Sequence, residues 1–338
     1  MPRARRVKMA VLGDGGWGTT LAIHLHALSH RVTWWGAFPE DVQVLKRRRE
    51  NVKFLPGIRV PRALPITADL AEAVESARII VLAVPSQYLR GVVQQLKGRV
   101  HTDQIFVSAA KGIERGTLKR MTQILQEELA AVQVAALSGP NIAMDIAKGQ
   151  PASSVVASAN AEVSTRIQRL FMSERFRLYT SDDVIGVELG GALKNPVAIA
   201  AGIGDGLGFG ANAKAALITR GIVEIARLGV VMGARDETFR GLSGLGDLIT
   251  TCLGGRNRWL GEQLGKSKTL TQVLTQRRDV IEGVETAKAA VALARRFEVE
   301  LPIIEQVHAI LFRQKDPRRA LQALMRRSRK AEFLPSAH

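Results

Sequence analysis

A lysine inside an apolar segment is the side chain of this sequence best suited to carrying a proton. Residues 184–203 (VIGVELGGALKNPVAIAAGI) are nearly all small or apolar, yet they include Lys194 followed by Asn195. A lysine withdrawn from water has a lowered pKa, because burial disfavours its charged form. Such a group can accept and donate a proton near neutral pH. A simpler alternative stays open, in which Lys194 reaches the surface or pairs with Glu188.

Further polar groups follow a glycine-rich joint at 241–246 (GLSGLG). Asp247, Thr251, Arg256 and Asn257 lie within a few helical turns of one another. Arginine offers a planar pair of donors to phosphate oxygens, while hydroxyl and amide groups can bind phosphate or hydroxyl groups. The set therefore suits a polyol phosphate. Helix capping and surface ion pairs would explain the same residues equally well.

The composition of the lysine segment favours a buried helix over a membrane span. Glu188, Lys194 and Pro196 would be costly in a bilayer, although the length of the segment would suffice. Residues 181–183 (SDD) are typical of a helix N-cap and first turn. Small residues at 190–192 (GGA) allow a neighbouring element to approach closely.

A glycine motif near the start predicts a dinucleotide site for NAD or NADP. Residues 7–12 (VKMAVL) are typical of a buried strand, and a helical pattern follows at 19–28. Gly13, Gly15 and Gly18 between them form the pattern G-x-G-x-x-G. In this context Gly13 makes the tight turn, Gly15 lets the backbone approach a pyrophosphate, and Gly18 lets helix and strand pack. The pyrophosphate would lie at the helix N-terminus.

The choice between NAD and NADP stays open at the second strand, predicted at 31–35 (RVTWW). An acidic residue after this strand typically bonds the ribose 2′-hydroxyl, whereas an arginine accepts a 2′-phosphate. Gly36 and Ala37 stand here instead. Residues 47–49 (RRR) could approach a 2′-phosphate, although a solvated helix end is the simpler explanation.

Strand signals continue to about residue 184 and then almost vanish. Further strand patterns occur at 78–84, 104–108, 135–138, 153–158 and 176–179, with a helical pattern at 69–77. This order predicts an α/β fold with a Rossmann-like, doubly wound, mostly parallel sheet. Ligands in such folds lie beyond the carboxyl ends of the strands, where Lys111 and the turn 139–141 (GPN) stand.

The second half of the chain has helical patterns and two glycine-rich joints. The patterns lie at 212–229, 237–242, 258–264, 269–276, 285–297, 302–311 and 317–330, and the joints at 202–210 and 241–246. We therefore expect a dinucleotide-binding domain over residues 1–184. A mostly α-helical substrate and catalytic domain is expected over residues 185–338.

Length and composition suit an ordinary globular protein. The chain has 338 residues, of which 46% are hydrophobic and 23% charged. The single Cys252 excludes an internal disulfide and a cysteine-cluster metal site. His24 and His26 point to different faces of their predicted helix, so no metal is expected. With no signal-peptide pattern, we expect a cytoplasmic protein without an integral membrane segment.

The net charge of +17 favours anionic partners. Much of the excess lies in runs at 3–8, 46–49 and 313–330. A phosphorylated substrate, an acidic membrane face and nucleic acid all fit such a surplus, as does a simply solvated surface. Aromatic residues are scarce and do not interleave with the basic runs, which disfavours nucleic acid.

Motifs along almost the whole chain, from Gly13 to about Leu324, resemble the bacterial-type NAD(P)-dependent glycerol-3-phosphate dehydrogenases. The most specific are 186–195 (GVELGGALKN), 210–213 (GANA), 219–221 (TRG) and 241–248 (GLSGLGDL). Supporting motifs are 54–57 (FLPG), 84–86 (VPS), 110–114 (AKGIE), 138–140 (SGP), 256–257 (RN) and 282–284 (EGV).

The resemblance implies hydride transfer between sn-glycerol 3-phosphate and dihydroxyacetone phosphate, supplying glycerol 3-phosphate for phospholipid synthesis. It implies a homodimer and a catalytic set of Lys194 as proton acceptor and donor, Lys111, and Asp247. The implied substrate-binding residues are Lys111, Gly139, Asn141, Asn195, Asp247, Thr251, Gly255, Arg256 and Asn257. The implied cofactor-binding residues are Gly13, Gly15, Gly16, Trp17, Gly18, Ala37, Lys111, Ala143, Arg256, Val280 and Glu282.

Three positions depart from the family pattern. Asn141 stands where serine or threonine is usual, Gly255 where serine is usual, and Ala37 where a basic residue is usual. A related dehydrogenase of another small phosphorylated or acidic 2-hydroxy compound therefore stays open. A protein that senses the cofactor or binds anionic surfaces without turnover is the alternative from another class.

Overall fold

The chain forms a sheet with apolar layers on both faces, followed by a region built of helices. The computed structural model describes residues 6–130, 132–275, 280–329 and 331–332. The strands are β1 (Lys8–Leu12), β2 (Arg31–Trp35), β3 (Glu50–Asn51), β4 (Leu55–Arg59), β5 (Ile66–Thr67), β6 (Ile79–Leu82), β7 (Ile105–Ser108), β8 (Gln133–Ser138), β9 (Ala152–Ala157) and β10 (Phe176–Ser181).

Helices alternate with these strands and then follow one another to the end of the described chain. They are α1 (Gly16–Ala27), α2 (Pro39–Arg48), α3 (Leu70–Val74), α4 (Ser86–Gln94), α5 (Met121–Leu129), α6 (Ala143–Ala147), α7 (Ala161–Phe171), α8 (Val184–Gly206), α9 (Ala211–Val231), α10 (Asp236–Arg240), α11 (Asp247–Leu253), α12 (Arg256–Gly265), α13 (Leu270–Leu274), α14 (Glu282–Arg296), α15 (Pro302–Arg313) and α16 (Pro317–Met325). A π-helical turn, Leu242–Gly246, lies between α10 and α11.

Eight strands form one sheet in the order β10-β9-β8-β7-β6-β1-β2-β5. Every neighbouring pair in it is parallel except β8 with β9. The predicted α/β class, with a mostly parallel sheet and a helical C-terminal part, is confirmed. A two-stranded hairpin of β3 and β4 stands apart from this sheet.

Strand β1 shows how the sequence builds a layer on each face of the sheet. Met9 and Val11 belong to one apolar cluster, and Ala10 and Leu12 belong to another. Successive side chains of a strand point to opposite faces, so a strand covered on both faces needs apolar residues throughout. This burial explains why the pattern VKMAVL lacks polar alternation.

Several elements have no counterpart in the sequence-based prediction. They are α2, the β3–β4 hairpin, β5, α4, α5, α6, α7 and α11. The prediction of a glycine-rich joint that interrupts the helices at 241–246 is wrong, because Leu242–Gly246 forms a π-helical turn. The predicted helix ends at Gln276 and Lys330 lie outside the described residues, as do the basic residues Arg3 and Arg5.

Helix α8 is the central element of the helical region. The Gly186 amide donates to the Asp183 carboxylate at 2.8 Å, which caps the helix N-terminus. The helix is long and apolar enough to cross a membrane, but 83% of its most apolar window is buried inside the protein. It continues to Gly206, so the predicted joint at 202–210 begins too early.

Close packing of α8 against α12 explains why both helices carry glycines where they touch. A Cβ atom added at Gly202 would lie 1.9 Å from the Arg258 carbonyl oxygen. One added at Gly261 would lie 1.9 Å from the Ile199 carbonyl oxygen. Only glycine allows backbones to approach this closely, so the two helices pack almost without intervening side chains at these points.

A buried ion pair fixes α8 to the sheet region. Glu188 accepts a hydrogen bond from Arg120 and is 5% exposed in its side chain. It also accepts from the Thr122 amide at 2.8 Å and from the Thr122 hydroxyl at 2.6 Å. Glu188 is therefore engaged by α5 and its N-cap, which excludes the sequence-based alternative of a Lys194–Glu188 pair.

Replacing Glu188 by alanine should lower the free energy of unfolding by about 3–5 kcal/mol, because Arg120 would stay buried without its carboxylate. Urea unfolding followed by circular dichroism measures this loss. Glu188→Gln keeps an acceptor for the Thr122 amide, so its free energy of unfolding should fall less than that of Glu188→Ala. Equal stability of Glu188→Ala and the unchanged protein would contradict this role.

Candidate active site

The turn between β1 and α1 has the geometry of a phosphate-binding loop. Gly13 has φ +122° and lies so close to β6 that an added Cβ would be 2.7 Å from the Ala83 carbonyl. A Cβ added at Gly18 would lie 2.1 Å from the Gly13 carbonyl oxygen, whereas nothing lies within 4 Å of one added at Gly15. The turn is therefore tight on its inner side and open beside Gly15, as a pyrophosphate at a helix N-terminus requires.

Neighbouring elements hold this turn in place. Asn51 of β3 donates to the Asp14 carbonyl oxygen and to the Thr19 hydroxyl, both at 2.7 Å. The Thr20 hydroxyl donates to the carbonyl oxygen of Ala143 at 3.0 Å. Sequence reasoning missed Asn51, because the short hairpin that carries it leaves no periodic pattern.

The other predicted cofactor residues near the turn lie in different environments. A Cβ added at Gly16 would lie 2.9 Å from the Phe54 carbonyl oxygen and 3.7 Å from the Ala143 side chain. The buried indole N–H of Trp17 has no acceptor among the described residues. Ala37 is exposed just beyond β2. An unused buried donor and an open glycine turn both fit a bound dinucleotide.

A buried carboxylate joins two lysines on the helical side of the sheet. Lys194 Nζ lies 2.5 Å from Asp247 Oδ1, and Lys111 Nζ lies 2.7 Å from Asp247 Oδ2. Lys194 also donates to the Thr251 hydroxyl at 2.5 Å, and Lys111 donates to the Gly139 carbonyl oxygen at 2.7 Å. We call Lys194, Lys111, Asp247, Thr251 and Gly139 the lysine centre.

The members of the lysine centre come from two helices and from the ends of two strands. Lys194 is on α8, and Lys111 and Gly139 follow the carboxyl ends of β7 and β8. Asp247 and Thr251 are one turn apart on α11, where the Thr251 hydroxyl also donates to the Asp247 carbonyl oxygen at 2.7 Å. The site therefore lies where the carboxyl ends of parallel strands meet the helical region, as predicted for this fold class.

Burial sets the charge state of Lys194. The pKa of the Lys194 ammonium is lowered to about 8, mainly by removal from water and also by the nearby charge of Lys111. The Asp247 carboxylate acts in the opposite direction through its charge and its hydrogen bond. The result is an amine that exchanges a proton near neutral pH, which is the property of a general acid–base catalyst.

Two asparagines connect the lysine centre to the rest of the helical region. Asn195 donates to the Lys111 carbonyl oxygen at 3.2 Å, and Asn257 donates to the Asn195 side-chain oxygen at 2.8 Å. The Gly283 amide in turn donates to Asn257 at 3.0 Å. The network brings together the N-termini of α12 and α14 with the middle of α8.

The remaining predicted substrate residues surround this network. Gly255 and Arg256 are exposed at the N-terminus of α12, and Gly255 has φ +94°. The side-chain oxygen of Asn141 accepts a hydrogen bond from the Ser154 hydroxyl and not from Lys111 or Lys194. The buried Asn141 amide nitrogen has no partner among the described residues, so it is a donor with capacity for a ligand.

A hydrogen-bonded pair joins the two parts of the chain beside the predicted cofactor residue Glu282. The Ser86 amide donates to one Glu282 oxygen at 2.8 Å, and the Ser86 hydroxyl donates to the other at 2.5 Å. Burial raises the pKa of the Glu282 carboxyl group, while both bonds from Ser86 lower it. Val280 is half-buried two residues earlier. Sequence reasoning missed the role of Ser86, since 196 residues separate it from Glu282.

The described residues offer no arrangement for a metal ion. In residues 6–130, 132–275, 280–329 and 331–332, no group of three His, Cys, Asp or Glu side chains could hold one. Cys252 is buried close to Lys194, and burial raises the pKa of its thiol to about 12. A thiol protonated at neutral pH is a packing residue rather than a nucleophile.

A glycine turn that can accept a pyrophosphate, together with a buried lysine of lowered pKa on a helix that faces the strand ends, is the arrangement expected of a dinucleotide-dependent dehydrogenase. Sequence models of the N-terminal and C-terminal parts of NAD-dependent glycerol-3-phosphate dehydrogenase match residues 8–164 and 183–322. The chain belongs to this family, and the predicted resemblance is confirmed.

Individual relatives and structures agree with this assignment. The glycerol-3-phosphate dehydrogenase [NAD(P)+] of Fusobacterium nucleatum is 49% identical over 97% of this chain and 99% of its own. A crystal structure of glycerol-3-phosphate dehydrogenase from Coxiella burnetii has a TM-score of 0.92 at 36% identity, covering 95% of this chain and 99% of that chain. The Saccharomyces cerevisiae structure has a TM-score of 0.80 at 30% identity, covering 94% and 99%.

Removing the Ser86 hydroxyl should weaken cofactor binding without changing the acid–base step. We expect Ser86→Ala to raise KM for NADH about tenfold, because a hydrogen bond to a charged group contributes about 1.5–3 kcal/mol. Steady-state kinetics at saturating dihydroxyacetone phosphate measure KM and kcat separately. Ser158→Ala, which removes another buried hydroxyl bonded to the Val134 carbonyl, is the control. A fall in kcat with KM unchanged would contradict this role.

Proposed function

We propose that the chain interconverts sn-glycerol 3-phosphate and dihydroxyacetone phosphate, using NAD or NADP. The proposal rests on one observation above all, the burial of Lys194 within 2.5 Å of both Asp247 and Thr251. Membership of the NAD-dependent glycerol-3-phosphate dehydrogenase family supports the choice of substrate. In this proposal the product glycerol 3-phosphate serves phospholipid synthesis.

Lys194 would move the proton at the C2 oxygen of the substrate. In the oxidative direction the neutral amine would accept the C2 hydroxyl proton, and in the reductive direction the ammonium would return it. Its lowered pKa makes both forms available near neutral pH. Asp247 would keep the amine oriented, and Lys111, held by the same carboxylate, would contact substrate and cofactor.

Two groups of side chains would hold the cofactor. The turn residues Gly13, Gly15, Gly16, Trp17 and Gly18 would receive the pyrophosphate, with Ala37 and Ala143 beside it. Val280, Glu282, Arg256 and Lys111 would contact it from the helical side. When bound, the nicotinamide ring supplies the hydride acceptor or donor.

The N-terminus of α12 is suited to the substrate phosphate. Gly255 leaves its backbone open, since nothing lies within 4 Å of a Cβ added there. Arg256 offers a bidentate donor pair, and the helix N-terminus adds its partial positive charge. Asn257, Thr251, Asn195, Gly139 and Asn141 would complete the contacts.

Three broader properties belong to the same proposal. We infer a division into a dinucleotide-binding domain over residues 1–184 and a helical domain over 185–338, since the last sheet strand ends at Ser181 and α8 begins at Val184. We also infer a homodimer and a cytoplasmic location. Size-exclusion chromatography with light scattering tests the dimer.

A second candidate is a dehydrogenase of another small phosphorylated or acidic 2-hydroxy compound. The Asn141 amide favours it, because a buried donor without a partner stands where the family usually has a hydroxyl group. Optical measurement of NADH and NADPH oxidation over a panel of 2-oxo compounds separates the candidates. Dihydroxyacetone phosphate should give the highest kcat/KM, and a clear preference for another substrate would favour the second candidate.

Removing the amine should abolish turnover and leave cofactor binding intact. Lys194→Ala should lower kcat about 100- to 10,000-fold, the usual contribution of general acid–base catalysis. Calorimetric titration with NADH checks that the variant still binds. Lys288→Ala, which removes a half-buried lysine of α14 that pairs with Glu285, is a charge-matched control. Full activity of Lys194→Ala would reject the proposed chemistry.

Neutralising Asp247 should shift the pH dependence to lower pH. The carboxylate raises the pKa of Lys194, so Asp247→Asn should lower that pKa below its value of about 8. Ketone reduction needs the protonated amine, and its rate falls as pH rises through this pKa. The fall should therefore begin at lower pH in the variant. A shift to higher pH would contradict the assigned role of Asp247.

A further inference from the structure

A groove beside the C-terminal end of α2 collects basic side chains that the proposed reaction does not use. Its lining includes Lys46, Arg47, Arg48, Arg49, Arg59 and Arg62. No residue of the lysine centre lines this groove. The groove therefore concentrates part of the net charge of +17 at one place away from the predicted chemistry.

Only one acidic side chain, Glu50, lines the groove beside its six basic side chains. Lys46, Arg47, Arg48, Arg59 and Arg62 form no ion pair with any described residue. By contrast, Lys53 in the adjoining hairpin pairs with Asp41 at 2.8 Å. The one acid of the groove, Glu50, accepts the Gly57 amide at 2.8 Å.

Helix chemistry explains only part of this cluster. Basic residues in the last turn of α2 interact favourably with the helix dipole, which accounts for Lys46, Arg47 and Arg48. Arg59 belongs to β4, and Arg62 follows it. Neither lies on α2, so no helix dipole explains why they bring further positive charge to the same groove.

Arg49 fixes the two basic segments relative to each other. It has φ +51°, and its guanidinium donates to the Leu64 carbonyl oxygen at 2.9 Å and the Pro61 carbonyl oxygen at 3.3 Å. The Val60 amide donates back to the Arg49 carbonyl oxygen at 2.8 Å. The cations are thus attached to a backbone that is already ordered, which reduces the entropy lost on binding.

We propose that this groove is a binding site for phosphate-bearing polyanions, separate from the dinucleotide and substrate sites. Arginine forks match phosphate oxygens, and several unpaired cations in one concavity favour a multiply charged ligand. The groove residues of α2 begin at Lys46, about 10 Å along the helix axis from its first residue, Pro39, at 1.5 Å per helical residue. A free oligophosphate and the headgroups of an anionic phospholipid surface share the required chemistry.

Binding of inorganic tripolyphosphate to the full chain, measured by calorimetry at low and moderate salt, tests the proposal. Co-sedimentation with phosphatidylglycerol vesicles forms the second arm. The variant is Arg59→Gln with Arg62→Gln, and both side chains are exposed. The control, Arg318→Gln with Arg326→Gln, removes the same charge from two exposed positions at α16.

We expect the groove variant to bind tripolyphosphate about tenfold more weakly, equivalent to about 1.4 kcal/mol, and the control to stay within about twofold. Both variants should keep the thermal stability and NADH oxidation of the unchanged chain. Vesicle binding with the same dependence on Arg59 and Arg62 would support the proposal and identify a lipid surface as the source.

Three results would overturn the proposal. The first is the absence of binding to either probe at low salt. The second is equal weakening in both variants, which would show that the charge acts diffusely. The third is displacement of tripolyphosphate by saturating NADPH, which would place the anion in the cofactor site.

Discussion

One buried carboxylate shared by two lysines sets the charge and the geometry of the site. Asp247 is 1% exposed, and its two oxygens lie 2.5 and 2.7 Å from the amines of Lys194 and Lys111. Two ammonium groups beside one carboxylate leave an excess of positive charge away from water, which is costly. The cost is relieved when Lys194 loses its proton or when an anion binds. The same arrangement thus lowers the pKa of the Lys194 amine and favours a phosphorylated ligand.

The fold serves mainly to keep this arrangement rigid. Strand ends carry Lys111 and Gly139, while α8 carries Lys194, so the sheet and the helical region must stay fixed relative to each other. The Glu188 pair with Arg120 and the Ser86–Glu282 bonds connect them on two sides. Close glycine contacts between α8 and α12 hold the helical side, because backbones in contact leave no side chain to rearrange.

The main strands, the glycine turn and the burial of Lys194 were predictable from sequence, because each depends on a local pattern of residues. Periodicity located the main strands, glycine spacing located the turn, and apolar surroundings indicated that Lys194 is buried. The partner of that lysine was not predictable from spacing alone, since Asp247 lies 53 residues away while Glu188 is much nearer in sequence. Helix α2 escaped prediction because it buries only Val42 and Leu45, too few residues for a clear helical period.

Titration of the Lys194 amine itself shows whether burial lowers its pKa into the neutral range. Lysine labelled at Cε and Nζ gives side-chain NMR signals whose shift follows protonation, and Lys194→Arg identifies the signal of interest. We expect a midpoint at about pH 8 in the unchanged chain without ligands. A midpoint near the ordinary lysine value of about 10.4 would contradict it, because the amine would then stay charged throughout the working range.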